Sequence, residues 1–367
     1  MTKSDKVSEN LIVRTVTGDI EPSNLGVTSS HEHIICDLTL GRFKEIIGDK
    51  DLASLNQSIE FKMNNLYWIR ENQLDVHENL SLSDVDTAIE EVVRFRDAGG
   101  SSIIDVTCEG LGRDPLAVAE ISRRSGVNIV LGSGFYVDVT HPKFVTDSTV
   151  EDIANHIARD LMIGIEKTSI RAGVIGEIGC SWPVSNSERK VLSAAALAHH
   201  LTGAPIVVHP GRHRNAPLHH VAELVSQGVA PSKVVIAHID RRLSSLADTL
   251  NLLSMGCFVS FDCFGMEPWI ATETSEMPMP CDLERILRVE ELFMNGYGAQ
   301  LLLGCDIAMK HRLTKFGGHG YDYLLRWVAP AFLSRSHLTR DNLNQMLVTN
   351  PINAFAFVPS ISQTRNL

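Results

Sequence analysis

His31 and His33 stand two residues apart in VTSSHEHIIC, at the edge of an apolar run. Alternate positions of a strand face the same way, so both imidazoles can point at one cation, although two histidines sharing a strand end would look no different. Four more ionisable residues follow apolar runs in the same manner. They are Glu177 in AGVIGEIG, His209 in PIVVHPG, His238 in KVVIAHID and Asp306 in AQLLLGCDIA. Each has an ordinary reading alone: Glu177 as a buried structural acid, Asp306 as the cap of a following helix. Together, four imidazoles and two carboxylates suit a pair of divalent ions, zinc first and manganese, cobalt or iron after it, with room left for solvent. Burying so many such groups in one place is costly unless something pairs them, and a metal cluster does.

The elements that position these residues repeat one theme. Eight short runs rich in Val and Ile alternate with helical patterns: GVTSSHEH, SSIIDVTCEG, VNIVLGSGFY, AGVIGEIG, PIVVHPG, KVVIAHID, GCFVSFDCFG and AQLLLGCDIA. Runs that are apolar throughout are buried on both faces, as in a parallel sheet covered by helices. Eight such units predict a (β/α)8 TIM barrel, whose active sites form at the C-terminal strand ends, where these six residues fall. The stretches DVDTAIEEVVRFRDAG, DPLAVAEISRRSG, SERKVLSAAALAHHLTG, SSLADTLNLLSMG and LERILRVEELFMNG read as helices closing on Gly. Ahead of the barrel, LIVRTVTGDIEPSNLG predicts a short N-terminal hairpin. Residues 38–82 are one long insertion after the first strand, with a short helix expected in NNLYWIRENQ. The expected organisation is a polar leader over 1–10, one barrel domain over 11–358 and a tail over 359–367. Alternation turns Glu32 outward, and solvated helix faces account for His156, His199, His200, His219 and His220.

Composition narrows the function classes. With 33 basic against 44 acidic residues the formal charge is −11, and no Lys/Arg cluster of the kind that neutralises a phosphate backbone is present. Nucleic-acid binding is thereby disfavoured. No apolar stretch approaches the roughly 20 residues of a membrane span, so no membrane partner is expected. Seven widely spaced cysteines without a CxxC pair read as reduced thiols in a cytoplasmic protein. Cys180, Cys263 and Cys305 read as small core residues.

The stretches GVTSSHEHI, DVTCEGLGRDPLAVAEISRRSGV, GSGFY, IGEIGCSWP, VVHPGR, AHID and LGCDIAMKHRLTKFGGHGY resemble the phosphotriesterase family of the amidohydrolase superfamily. The resemblance implies that His31, His33 and Asp306 hold a more buried ion and that His209 and His238 hold a more exposed one. It also implies a bridging residue from the fourth strand, a carboxylated lysine in many members and Glu177 here. Cys263 stands where organophosphate-cleaving members carry a His used for proton relay. The implied activity is amide hydrolysis, with N-acetyltaurine and related N-acyl amino acids as substrates and Asp306 as the catalytic proton carrier. A lactonase or phosphotriesterase on the same centre is the alternative, and a catalytically silent metal-binding interaction protein is the alternative of another class. The substrate is expected to be a small anion. Arg212 and Arg241 are placed to hold it by charge-assisted hydrogen bonds, unless each pairs with a neighbouring acid. Tyr136 is expected on the pocket wall, and Lys310 and His319 in a Gly-rich loop that forms a lid. A homodimer is compatible with these features.

Overall fold

Strands with no polar face must be covered on both sides, and in this chain the eight apolar runs cover one another by closing. The computed structural model describes residues 11–39, 59–242, 245–266 and 279–360. In chain order β1 (Thr28–Glu32), β2 (Ser102–Asp105), β3 (Asn128–Ser133) and β4 (Val174–Gly179) are followed by β5 (Ile206–His209), β6 (Val234–Ile236), β7 (Phe258–Phe261) and β8 (Leu301–Leu303). Each pairs with the next in parallel. The seam between β8 and β1 is joined just beyond the strand ends. The Asp306 N–H donates to the His31 carbonyl (3.0 Å), and the His33 N–H donates to the Ile307 carbonyl (3.2 Å). The result is the (β/α)8 barrel that the rhythm of the sequence predicts.

Side chains inside the barrel stack in layers. Ile104, Val130, Val174, Val207, Val235 and Leu302 fill the interior, and Val13, Leu25 and Phe355 close it from below. Full burial of side chains this size contributes about 1.5–3 kcal/mol each, so the lower barrel is a packed plug rather than a channel. The expected hairpin is present as Val13–Thr15 paired antiparallel with Gly18–Ile20, and it supplies part of that plug. Val207 points inward, so His209, two residues on, points inward at the open end.

The five helical stretches are observed as Val85–Asp97, Pro115–Ser125, Asn186–Thr202, Leu246–Ser254 and Asp282–Met294. Asp114 caps the second, accepting from the Ala117 N–H ahead of Pro115, and Ser185 with Glu188 forms a capping box on the third. Gly126 and Gly203 end these two at φ 75° and 78°, where a Cβ would be strained. The long insertion holds the expected short helix, Leu66–Glu71. Residues 1–10, 40–58 and 361–367, which include the leader and most of the tail, lie outside the described residues.

Of the five histidines expected on solvated helix faces only His200 is exposed, while His156, His199 and His219 are partly buried and His220 wholly so. His220 is fully buried, because it shares the inward stripe of helix Ala216–Ser226 with Val221 and Leu224. His156 is only partly exposed and pairs with Glu109 at 3.0 Å.

Candidate metal centre

The barrel brings all six expected ligands to one rim as two triads, His31 with His33 and Asp306, and Glu177 with His209 and His238. Within each triad the ligand atoms lie within 4.8 Å of one another. One oxygen, Oε1 of Glu177, meets three imidazoles: His238 Nε2 at 2.8 Å, His209 Nδ1 at 3.2 Å and His31 Nε2 at 3.4 Å. Asp306 Oδ1 lies 3.3 Å from His33 Nε2 and 3.6 Å from His31 Nε2, and its other oxygen lies 3.6 Å from His238 Nδ1. Asp306 keeps 14 % of its side chain exposed, against 2 % for Glu177. It is therefore the carboxylate of the pair that solvent can reach.

The backbone bends to achieve this aim. His238 and Asp306 adopt φ values of 54° and 49°, and among the described residues only Glu166 is another non-glycine of this kind. Such a conformation costs about 1–3 kcal/mol, and it persists where surrounding bonds impose it. For His238 that bond comes from Asp262, the residue directly after β7. Its Oδ1 accepts from the His238 N–H (3.0 Å) and from His238 Nδ1 (2.8 Å). The second oxygen of Asp262 lies 3.2 Å from His31 Nδ1. One buried carboxylate thus orients one imidazole from each triad.

The electrostatics favour positive charge between the carboxylates. Burial would raise the Glu177 carboxyl, but the imidazoles of His209, His31 and His238 outweigh it and hold it well below the usual range. Asp306 is lowered in the same way: burial opposes the shift, and His238, His33 and His31 overcome it. Burial drives His209 down to about 3, so it is neutral, the form that ligates a cation. For His33, burial is overridden by the bond and charge of Asp306, which raise it to about 9. A cation would supply the positive charge that a proton supplies there. Both His31 ring nitrogens are buried without a hydrogen bond among the described residues, although carboxylates lie within 3.6 Å of them. Orphaned imidazole nitrogens facing carboxylates are what a pair of divalent ions would satisfy.

Several supporting residues escape a sequence reading. Asp262 is one; its only signal is that an acid stands at the same strand-end register as the ligands. Glu32 does turn away from the barrel axis, but it is fully buried rather than solvated. It accepts from the N–H groups of Cys305 (2.9 Å) and Ile307 (3.0 Å), clamping the backbone on either side of Asp306. Burial pushes its carboxyl up to about 7. Thr107 meets His33 Nδ1 at 2.9 Å and is itself held by Asp105. Cys263 is buried, and burial, with the charge of nearby Asp240, pushes its thiol up to about 12.

The expected substrate contacts are dispersed. Tyr136 Oη lies 3.1 Å and 3.3 Å from the two His209 ring nitrogens, and Arg241 Nη2 donates to His209 Nε2 at 3.2 Å. Both therefore belong to the rim of the centre. Arg212 is exposed on the loop after β5. Lys310 is committed to Glu78 at 3.1 Å and lies 5.9 Å over the Phe316 ring, so it is not in contact with the cluster. His319 stacks on Tyr323 and lines a cleft of about 310 Å³ that borders the end of β8 through Arg312.

A parallel barrel with imidazole–carboxylate triads converging at its C-terminal rim defines the class: a metal-dependent hydrolase. The sequence pattern of the phosphotriesterase family matches residues 11–355, and the chain belongs to that family of binuclear metal enzymes. Among similar proteins is an N-acetyltaurine hydrolase from Salmo salar, 38 % identical over 340 residues, which are 92 % of this chain and 96 % of the relative. A resiniferatoxin-binding protein from Rhodobacter sphaeroides is 30 % identical, with a TM-score of 0.86 and 94 % of each chain covered. A lactonase from Listeria monocytogenes is 25 % identical, with a TM-score of 0.73, over 94 % of this chain and 99 % of its own. No helix among the described residues is long and apolar enough to cross a membrane.

Proposed function

We propose that the chain is an amidohydrolase that cleaves N-acetyltaurine and related N-acyl amino acids at a binuclear centre, with zinc as the metal. The observation that carries this reading is the meeting of the two triads at Glu177 and His31, supported by the similarity to N-acetyltaurine hydrolases. In this reading His31, His33 and Asp306 would hold one ion and His209 and His238 the other, with Glu177 available to both triads. Bound divalent ions would polarise the amide carbonyl and acidify water at the site.

The chain's own groups supply the remainder. Asp306, ionised and partly open to solvent, takes the proton from the attacking water and returns it to the amide nitrogen as the C–N bond breaks. Asp262 fixes the ring orientations of His31 and His238, so that two imidazoles do not have to reorganise during turnover. Tyr136 and Arg241 brace His209 and present donors at the rim. We assign Arg212 the outer mouth and Lys310 a loop-anchoring role through Glu78. None of the seven cysteines is joined in a disulfide, which supports a cytoplasmic location.

Zinc-loaded protein should release acetate and taurine from N-acetyltaurine, measured beside a lactone and paraoxon. Turnover of either of those with none of the amide would overturn the amidase reading. A His31→Ala variant that folds normally but loses turnover separates an enzyme from a structural metal protein.

A further inference from the structure

The cleft of about 310 Å³ lies between helix Leu66–Glu71 and the loops that follow β7 and β8. Arg70, Glu71, Arg312 and His319 contribute its ionisable lining, with His311 beside them. Arg312 is 5 % exposed. Its Nη2 donates to the carbonyls of Phe264 (2.9 Å) and Cys305 (3.2 Å), which ties the guanidinium to the ends of β7 and β8, one residue from Asp306. Its Nε and Nη1 are buried and have no hydrogen-bond partner among the described residues. Buried donors are almost always satisfied, so an edge left open beside a cleft points to an acceptor that enters the cleft.

The surrounding charges narrow what that acceptor is. Arg70 adds a second guanidinium, bonded to the Gly317 carbonyl. Glu71 adds a carboxylate whose Oε2 is buried and likewise without a partner. His311, bonded through Nδ1 to Asn79, is kept neutral by burial and by Arg312 and Arg70. The same causes lower His319. Two guanidinium groups against one carboxylate leave one net positive charge. That balance matches a monoanion and disfavours a dianion, whose second charge would face the Glu71 carboxylate.

We propose that this cleft receives the acid end of the substrate, a sulfonate or carboxylate held by Arg312 and Arg70, while Glu71 discriminates against dianionic ends. The proposal rests on the amide-hydrolysis reading above and names the specificity determinants for it. The clasp is a charge-assisted fork on a planar acid group, which arginine suits better than lysine.

The test compares N-acetyltaurine with N-ethylacetamide, which carries the same amide and no acid group, on zinc-loaded full-length protein. In Arg312→Lys and Arg70→Met, the ratio of kcat/KM for the two amides should fall about tenfold or more, the scale of one lost hydrogen bond to a charged group. The loss should appear mainly in KM for N-acetyltaurine. Among the described residues Arg70 bonds the Gly317 carbonyl and neither strand end, so Arg70→Met keeps the test valid if Arg312→Lys disturbs the β7 and β8 ends. In Glu71→Gln, the acetamide of 2-aminoethylphosphonate should inhibit about tenfold more tightly than it inhibits the parent. An unchanged ratio in Arg70→Met, equal losses on both amides, or no gain in phosphonate binding in Glu71→Gln overturns the proposal. If the parent hydrolyses neither amide, the amide reading fails by itself, and the cleft is judged by calorimetric titration with methanesulfonate. Binding weakened about tenfold in Arg70→Met then supports an anion site, and equal or absent binding overturns it.

Discussion

Replacing Asp262 with Asn should weaken metal binding without unfolding the barrel, and the size of the effect follows from its contacts. Asp262 is fully buried, with Oδ1 accepting two N–H groups of His238 and Oδ2 lying 3.2 Å from His31 Nδ1. An asparagine can keep its carbonyl oxygen toward His238, which preserves both of those bonds. Its amide nitrogen then faces His31 Nδ1, and two donors cannot share that space. His31 must move its proton to Nε2, the nitrogen that faces Glu177 and Asp306 and that a cation would need. One ligand of the His31–His33–Asp306 triad is therefore weakened, while the Glu177–His209–His238 triad is spared.

Loss of such an orienting partner lowers metal affinity roughly 10–100-fold, about 1.4–2.8 kcal/mol. Dialysis against a graded series of chelator, followed by elemental analysis, should show one equivalent leaving Asp262→Asn at about 10–100-fold lower competitor than the parent, and the other equivalent leaving at an unchanged level. Activity should return at high zinc. Equal retention of both equivalents, or parallel loss of both, would refute the assignment of Asp262 as the orienter of His31.

Three further outcomes follow from the same geometry. Glu177→Gln removes the charge that meets three imidazoles, and turnover should fall at least about a hundredfold with a folded far-UV spectrum; retained turnover would count against Glu177 in the centre. Arg285 is fully buried between Asp240 (3.0 Å) and Asp282 (2.8 Å), so Arg285→Met should cost about 3–5 kcal/mol in urea unfolding, because it strands a buried acid. His220 is buried with neither ring nitrogen bonded among the described residues, and burial lowers it to about 3 from an ordinary 6.5. The unfolded chain thus takes up a proton that the folded chain refuses, and stability is whole above pH 6.5 and declines as the pH falls toward 3. Between pH 8 and 5 the loss from this residue is about 2 kcal/mol, and His220→Leu should remove it from the pH profile of urea unfolding; an identical acid sensitivity in the variant would show that the loss arises elsewhere.

Why the barrel and six rim residues are legible in the sequence, while the groups that aim them are not, has a physical cause. The barrel interior obeys a period of two, so an inward Val207 commits His209 to the same side, and a run with no polar face commits its strand to burial. These are rules about neighbours along the chain. Glu32 shows where they stop: alternation turns it from the axis correctly, but in a barrel the outward side is a helix layer rather than water. There an acid survives only by accepting the Cys305 and Ile307 N–H groups, far away in sequence. Asp262 shows the same limit more sharply, since its role depends on His238 adopting a left-handed backbone, which no spacing announces. The cleft repeats the lesson, because Glu71, at the end of helix Leu66–Glu71, and Arg312, in the loop after β8, are far apart in sequence and meet only when the seam between β8 and β1 closes. Strand periodicity therefore delivers the ligand types to the rim. Which nitrogen of each imidazole faces the carboxylates, and which acid end the neighbouring cleft accepts, are decided by contacts between strand ends that only closure creates.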